Sequence, residues 1–430
     1  AASAMGAAAS SSSSSSSSGS KRKKAKHSKK KRASSSASAY ASSASASSST
    51  SSSSGPVLPP TASGNTRVQL FGCSHFRQAI VAATLAGRSL RLENIRHRDE
   101  RPGLRPFEAN FLRVVDKLTN GSHVEINSTG TTLVYRPGIV HGGRITHDCG
   151  LGRAVGYFIE GLLPLCLFAK EPVTLTLRGI TNDNDDLSVD TIRSVLLPTI
   201  DNAFGIADGR TNRIELKIKK RGAPPMGGGE VIFTCPVVKE LRPLIMVDPG
   251  FIKKIRGIAY STRVSPQSAN RMVTSARSLL NHFVPDVFIY TDHYKGEESG
   301  KSPGFGCALV AETTEGVVLS AEKMAVTGKG ALVLPEDVGL EAAQLLCEEI
   351  AKGGCVDTSC QSLLLLLMVL TPESVSKIRL GKLSNYTIQY LRNLKSFFGI
   401  TFKVKPDHET GTVLLSCFGT GFKNFSRKVG

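Results

Sequence analysis

The chain has 430 residues, and its 54 Lys and Arg against 35 Asp and Glu give a net charge of +19. That length allows two domains and a substantial core, and the charge points to a polyanionic partner without choosing among nucleic acid, acidic protein and membrane surface. The nine cysteines include no CxxC pair and are odd in number, which argues for reduced, mostly buried thiols of an intracellular protein. No apolar N-terminal stretch points to secretion, and the longest apolar run, 363–370, is far too short to span a bilayer, so a soluble protein is expected.

Residues 1–66 are almost entirely Ser and Ala, with nine cations and no acid. A segment with so little apolar surface is expected to be disordered. Its cluster, Lys21-Arg22-Lys23-Lys24-Ala25-Lys26-His27-Ser28-Lys29-Lys30-Lys31-Arg32, reads as a nuclear or nucleolar address or as a non-specific RNA-binding arm.

From residue 67 the pattern is globular and repeats. The first copy predicts a helix over 76–86, a strand over 90–95, a helix over 107–118 and a hairpin of 123–127 with 132–136. The second predicts a helix over 153–168, a strand over 173–177, a helix over 189–204 and a hairpin of 213–218 with 230–235. The third predicts a helix over 360–370, a strand over 375–380, a helix over 385–398 and a hairpin of 401–405 with 412–417. Between copies two and three, strands at 255–261, 287–290, 305–313 and 316–321 with a helix over 267–283 form a different rhythm, and a helix over 340–351 is expected to return the chain to the main domain. The fold class is therefore α/β (α+β): three helix–strand–helix–hairpin units forming a main domain, with a smaller α/β insert. The boundaries read 1–66 for the tail, 67–250 for main-domain repeats 1 and 2, 251–330 for the insert and 331–430 for repeat 3.

The second hairpin carries Lys219-Lys220-Arg221-Gly222-Ala223-Pro224-Pro225-Met226-Gly227-Gly228-Gly229. Three cations end an alternating strand, and consecutive glycines let a backbone or a phosphate come close. Two readings stand side by side: a solvated glycine-rich hairpin, or a basic mouth whose backbone N–H groups face an anion. On either, replacing the three cations is expected to leave the fold intact, within about 0.5 kcal/mol.

This Arg-Gly followed by Pro-x-Gly-Gly-Gly resembles the signature of the RNA 3'-terminal phosphate cyclase superfamily, and Ile95-Arg96-His97-Arg98 with Arg101-Pro102-Gly103-Leu104 resembles another of its segments. With the repeats and insert, the resemblance covers nearly all of 68–418. It implies enzymes that adenylate themselves on a histidine and close a 2',3'-cyclic phosphate. The chemistry-bearing positions depart from that pattern. Where cyclases have a Glu- and Gly-rich stretch ending Gly-Gly-Gln, this chain has Gly72-Cys73-Ser74-His75-Phe76-Arg77-Gln78. Phe107-Glu108 replaces a Gln-His pair, and Ser362 stands where an acid opens a Leu-rich helix. In the segment resembling the nucleophile motif, Lys382-Leu383-Ser384-Asn385-Tyr386-Thr387-Ile388, Leu383 takes the place of the histidine, and no histidine lies near it in the sequence.

The departures resemble the cyclase-like branch, as do Tyr135-Arg136-Pro137-Gly138 and Gly179-Ile180-Thr181-Asn182-Asp183. That likeness implies a non-catalytic factor of early pre-rRNA processing in the nucleus and nucleolus, within the small-subunit processome. It also implies an assembly GTPase and pre-rRNA as partners, no membrane, and no cofactor, metal or catalytic residue. The rivals are a cyclase with a moved nucleophile, a pre-rRNA endonuclease and a purely protein-binding adaptor.

The candidate RNA- or anion-binding residues are Arg77, Gln78, Arg96, Arg98, Arg101, Arg105, Arg136, Arg144, Lys219, Lys220, Arg221, Gly227, Gly228 and Gly229, because arginine forks suit phosphate oxygens. Asp183, Asp185 and Asp186 read as loop and cap residues in preference to a metal site, and His147-Asp148-Cys149 lacks the partner ligands zinc needs. With no Trp and 6% aromatics, base stacking of the RRM kind is not indicated.

Overall fold

The computed structural model describes residues 67–206, 213–325 and 333–427. The Ser/Ala tail, and with it the expected localisation signal, lies outside the described residues.

The first unit runs β1 (Val68–Phe71), α1 (Phe76–Ala86), β2 (Leu90–Glu93), α2 (Pro106–Leu118), β3 (Thr119–Asn120), β4 (His123–Ile126), β5 (Leu133–Arg136) and β6 (Ile139–Val140). The second runs β7 (Gly143–Asp148), α3 (Val155–Leu167), β8 (Val173–Gly179), a helical segment, then β9 (Glu215–Lys220) and β10 (Gly229–Cys235). After β11 (Ile245–Met246) the insert intervenes, with β12 (Ile252–Thr262), α6 (Gln267–Leu280), β13 (Val287–Tyr294), β14 (Gly304–Thr313), β15 (Val318–Met324) and α7 (Pro335–Ala351). The chain then resumes with α8 (Gln361–Val369), β16 (Val375–Leu380), α9 (Asn385–Phe398), β17 (Lys403–Asp407) and β18 (Thr412–Phe418).

Three sheets share one order: β1-β2-β5-β4, β7-β8-β10-β9 and β11-β16-β18-β17. In each the first pair is parallel and the other two antiparallel. The parallel pair requires a crossover, and a helix supplies it in every case; in the third sheet the whole insert lies within that crossover. Nearly every residue of α3 and α8 is buried, as expected of helices apolar all round. α1 packs on α3 and α9, and α3 packs on α8, so one continuous core joins the three sheets. Each sheet keeps its outer face toward solvent, which gives its strands an alternating burial pattern.

Three differences from the sequence expectation have physical causes. The opening strands β1, β7 and β11 were not foreseen; they are edge strands, short or polar on one face, and carry little apolar periodicity. The helix expected over 189–204 is broken into α4 (Val189–Thr191), a π-helical turn (Ile192–Leu196) and α5 (Leu197–Phe204). Pro198 has no N–H to donate into the preceding turn, and the wider turn accommodates it. α7 does not return to the main domain: its buried Val338, Ala342, Ala343 and Leu346 complete the insert's own core beside Ile255, Met272 and Leu309.

A carboxylate helps join the insert to the second unit. Glu322 on β15 accepts hydrogen bonds from the Ser188 backbone N–H (2.8 Å), the Thr191 hydroxyl (2.6 Å) and the Ser188 hydroxyl, at the start of α4. Burial raises its pKa to about 7 against the pull of those donors. An acid raised in the fold contributes stability below its unfolded pKa, near 4.5, and loses it as pH climbs toward 7. Stability of the wild type relative to Glu322→Gln is therefore expected to fall by roughly 3 kcal/mol between pH 4.5 and 7 and then level off. Urea unfolding of both proteins across that range checks this; a constant difference contradicts it.

Candidate functional site

The first turns of α1, α2, α8 and α9 meet the middle of α3 around a cleft. Two adjoining cavities of about 230 and 290 Å³ share Arg77, Gln78, Arg153 and Tyr386. Arg77 and Gln78, both expected from the sequence, line the cleft. Glu160, the single charged residue in the apolar run of α3, was not expected there, and that isolation was the available signal.

The cleft's arginines are each closed on a carboxylate. Arg77 pairs with Glu160 at 2.6 Å, donates to the Tyr157 carbonyl at 2.6 Å and lies 4.5 Å from that tyrosine's ring centre. Ser362, at the position where the resemblance expects an acid, donates to Glu160 at 3.2 Å. Arg96 forks onto Glu108 with two contacts of 2.7 Å, and Glu108 also accepts the Arg105 N–H at 2.8 Å. Arg153 forks onto Asp186 and lies 4.8 Å from the Tyr157 ring centre. An anion entering the cleft has to compete with a carboxylate at every one of these guanidiniums.

Leu383 packs against the main core, and Tyr386, one turn further on, faces the cleft. A histidine does stand beside this segment in space, unlike in sequence. His75, at the start of α1, stacks on the Tyr386 ring at 4.0 Å, and its Nε2 lies 3.0 Å from the Tyr386 carbonyl oxygen. Burial lowers its pKa below the usual 6.5, against the pull of that hydrogen bond, so the ring is neutral at pH 7.

The remaining candidate residues are dispersed. Arg98 and Arg101 are exposed on the loop before α2, and Arg105 reaches Asp99 at 3.3 Å. Arg136 lies 3.5 Å from Glu125, and Arg144 is exposed on β7. Lys219 is exposed and 3.8 Å from Glu230, while Lys220 is half-buried.

Arg221 is not part of a basic mouth. It is fully buried, forks onto Asp190 at 2.5 and 2.7 Å, and reaches Asp292 of the insert at 3.3 Å. Its guanidinium lies 4.6 and 4.9 Å from the ring centres of Tyr260 and Tyr294. Burial alone would raise the Asp190 carboxyl, but the Arg221 charge and hydrogen bonds hold it below the ordinary carboxylate range. The loop after it is occupied by protein too. The Arg221 N–H donates to the Glu298 carbonyl, Met226 N–H to Ser302, Gly227 N–H to Ala223, and Lys301 N–H to Gly227. Gly227 and Gly228 adopt φ of +56° and +83°, and a Cβ on Gly228 would press on Lys301, so these glycines serve a close approach of the insert. Asp183 accepts the N–H groups of Asp185 and Asp186, as a loop-stabilising aspartate does. No cluster of metal-ligating side chains occurs among the described residues.

A sequence profile of the RNA 3'-terminal phosphate cyclase family matches residues 68–404. The chain belongs to that family. It is similar to the RNA 3'-terminal phosphate cyclase-like proteins of Homo sapiens and Mus musculus, each 56% identical over 363 residues, covering 83% of this chain and 96% of the relative. It is also similar to the rRNA processing protein rcl1 of Schizosaccharomyces pombe, 45% identical over 361 residues, covering 83% of this chain and 97% of that one.

The burial of Arg221 reverses the expectation that its replacement is nearly neutral. Arg221→Ala strips the buried Asp190 of its forked partner and leaves only Arg193, at 3.7 Å, as a cationic partner, so a loss of about 3–5 kcal/mol is expected, whereas Lys219→Ala should stay within about 0.5 kcal/mol. Equal urea midpoints for the two variants would contradict the assignment.

Proposed function

We propose that this member of the cyclase family is a non-catalytic factor of early pre-rRNA processing. It acts in the nucleolus within the small-subunit processome, docks an assembly GTPase and contacts pre-rRNA mainly through phosphates. The observation that carries the proposal is the cleft: its arginines are closed on Glu160, Glu108 and Asp186, and the segment resembling the nucleophile motif presents Tyr386 there while Leu383 packs away. A leucine cannot form a phosphoramidate, and three internally paired arginines offer a nucleotide no free fork. The similarity to a protein named for rRNA processing supports the biological setting, and the lysine-rich tail supports a nucleolar address. The GTPase partner follows from the cyclase-like resemblance.

Incubating the full chain with labelled ATP and Mg²⁺ or Mn²⁺ should yield no covalent adenylate and no cyclised RNA end. His75 is the histidine beside Tyr386, so His75→Ala belongs in the same experiment. A labelled band present in the wild type and absent in that variant overturns the non-catalytic reading. In cells, depletion should accumulate unprocessed pre-rRNA; unchanged processing overturns the biological role.

A further inference from the structure

The three sheets of common order differ sharply in the charge on their outer faces. Register fixes which residues share each face. On the first sheet, Arg91 pairs with Glu93 at 2.6 Å and Arg136 with Glu125 at 3.5 Å. On the second, Arg178 and Lys219 both reach Glu230, Lys217 reaches Glu215, and of these cations and Arg144 only Arg144 pairs with no carboxylate among the described residues.

The third sheet is different. Its register places Ile245, Lys377, Ser416 and Lys403 in one outward row, and Arg379, Leu414 and Lys405 in the next. Val375 and Phe418 form the row on the other side. Four cations stand on this face against one carboxylate, Asp407, which pairs with Arg379 at 2.8 Å. Lys377, Lys403 and Lys405 are all exposed and form no ion pair among the described residues. Phe418 is 53% exposed beside them. Lys403 and Lys405 are two residues apart on one strand, about 7 Å, and Lys377 lies two strands over, roughly 10 Å away.

We propose that the outer face of the third sheet binds single-stranded RNA, with Lys377, Lys403 and Lys405 contacting successive phosphates and Phe418 stacking a base. The inference deepens the reading above, on which it rests, by naming the surface that meets the RNA, and it departs from the sequence expectation against base stacking because one exposed ring, Phe418, stands beside the lysines. Charge complementarity selects the ligand, because unpaired lysines spread over an open sheet suit a repeating anion, and an exposed ring beside them suits an unpaired base. None of these residues lines the cleft.

The test compares the full chain with Lys377→Ala/Lys403→Ala/Lys405→Ala, with Phe418→Ala, and with the first-sheet control Arg91→Ala/Arg136→Ala. The probe is a fluorescent uridylate oligomer, titrated by anisotropy across salt concentrations; thermal melts confirm that each variant is folded. The tail is present throughout and contributes equally. Losing three contacts should flatten the slope of log affinity against log salt by about 2 and weaken binding about a hundredfold at 0.1 M salt. Phe418→Ala should weaken binding at least about fivefold without changing the slope. The control should bind as the wild type does.

Wild-type RNA binding that survives the triple substitution overturns this surface while leaving the RNA reading standing. Failure of the wild type to bind RNA overturns both. With fluorescent poly-glutamate titrated in the same way, loss of its binding in the triple variant while RNA binding stays intact overturns RNA as the occupant in favour of an acidic protein.

Discussion

A single buried ion pair, Arg221 with Asp190, sets the arrangement on which much of this molecule depends. The guanidinium is wholly removed from water, so its charge has to be met by carboxylate, hydrogen bonds and rings. Those partners come from three places: α4 of the second unit supplies Asp190, the loop before it supplies Asn182, and the insert supplies Asp292, Tyr260 and Tyr294. Meeting one charge therefore fixes the strand β9, the start of the broken helix and the insert relative to one another. The glycines that follow let the insert's 299–302 segment lie directly on the signature loop. A motif that reads as a phosphate cradle in sequence is here a joint between two cores.

The same rule, charge closed on charge, governs the cleft. Arg77, Arg96 and Arg153 arrive from different parts of the chain, and each meets a carboxylate placed by a helix or a capped loop. Glu108 serves twice, as the partner of Arg96 and as the acceptor of the N–H that opens α2. The rings of Tyr157 and Phe107 lie over two of the three guanidiniums, Arg77 and Arg153. A hollow remains between the units, yet the charged groups lining it face one another.

How much of this was legible in the sequence depends on how local the cause is. Strand 375–380 and helix 385–398 coincide with β16 and α9 because their signals are local: polar–apolar alternation from Lys377 to Leu380 in one, and in the other Ser384 capping the N-terminus and Gly399 in left-handed conformation closing the C-terminus. The opening edge strands lack that signal, since their partners lie beyond an intervening helix or the whole insert. The burial of Arg221 was illegible for a related reason. Lys219, Lys220 and Arg221 are contiguous cations, and alternation alone does not say that the third turns inward to an aspartate 31 residues earlier. His75 beside Tyr386 is likewise a contact across 311 residues of chain.

Net charge says how many cations exceed acids, but the structure says which of them remain available. The arginines that looked most suited to phosphate, Arg77, Arg96 and Arg221, are bound to carboxylates inside or at the edge of a core. The lysines that drew no attention, spaced at every second residue on strands, are the ones left facing solvent. The difference follows from side-chain chemistry. A guanidinium is planar, weakly hydrated and forked, so burial against a carboxylate and a ring suits it; an ammonium is strongly hydrated and stays at the surface. In a basic protein of this family, arginine thus holds the units together, and lysine gives the outer face of one sheet its charge.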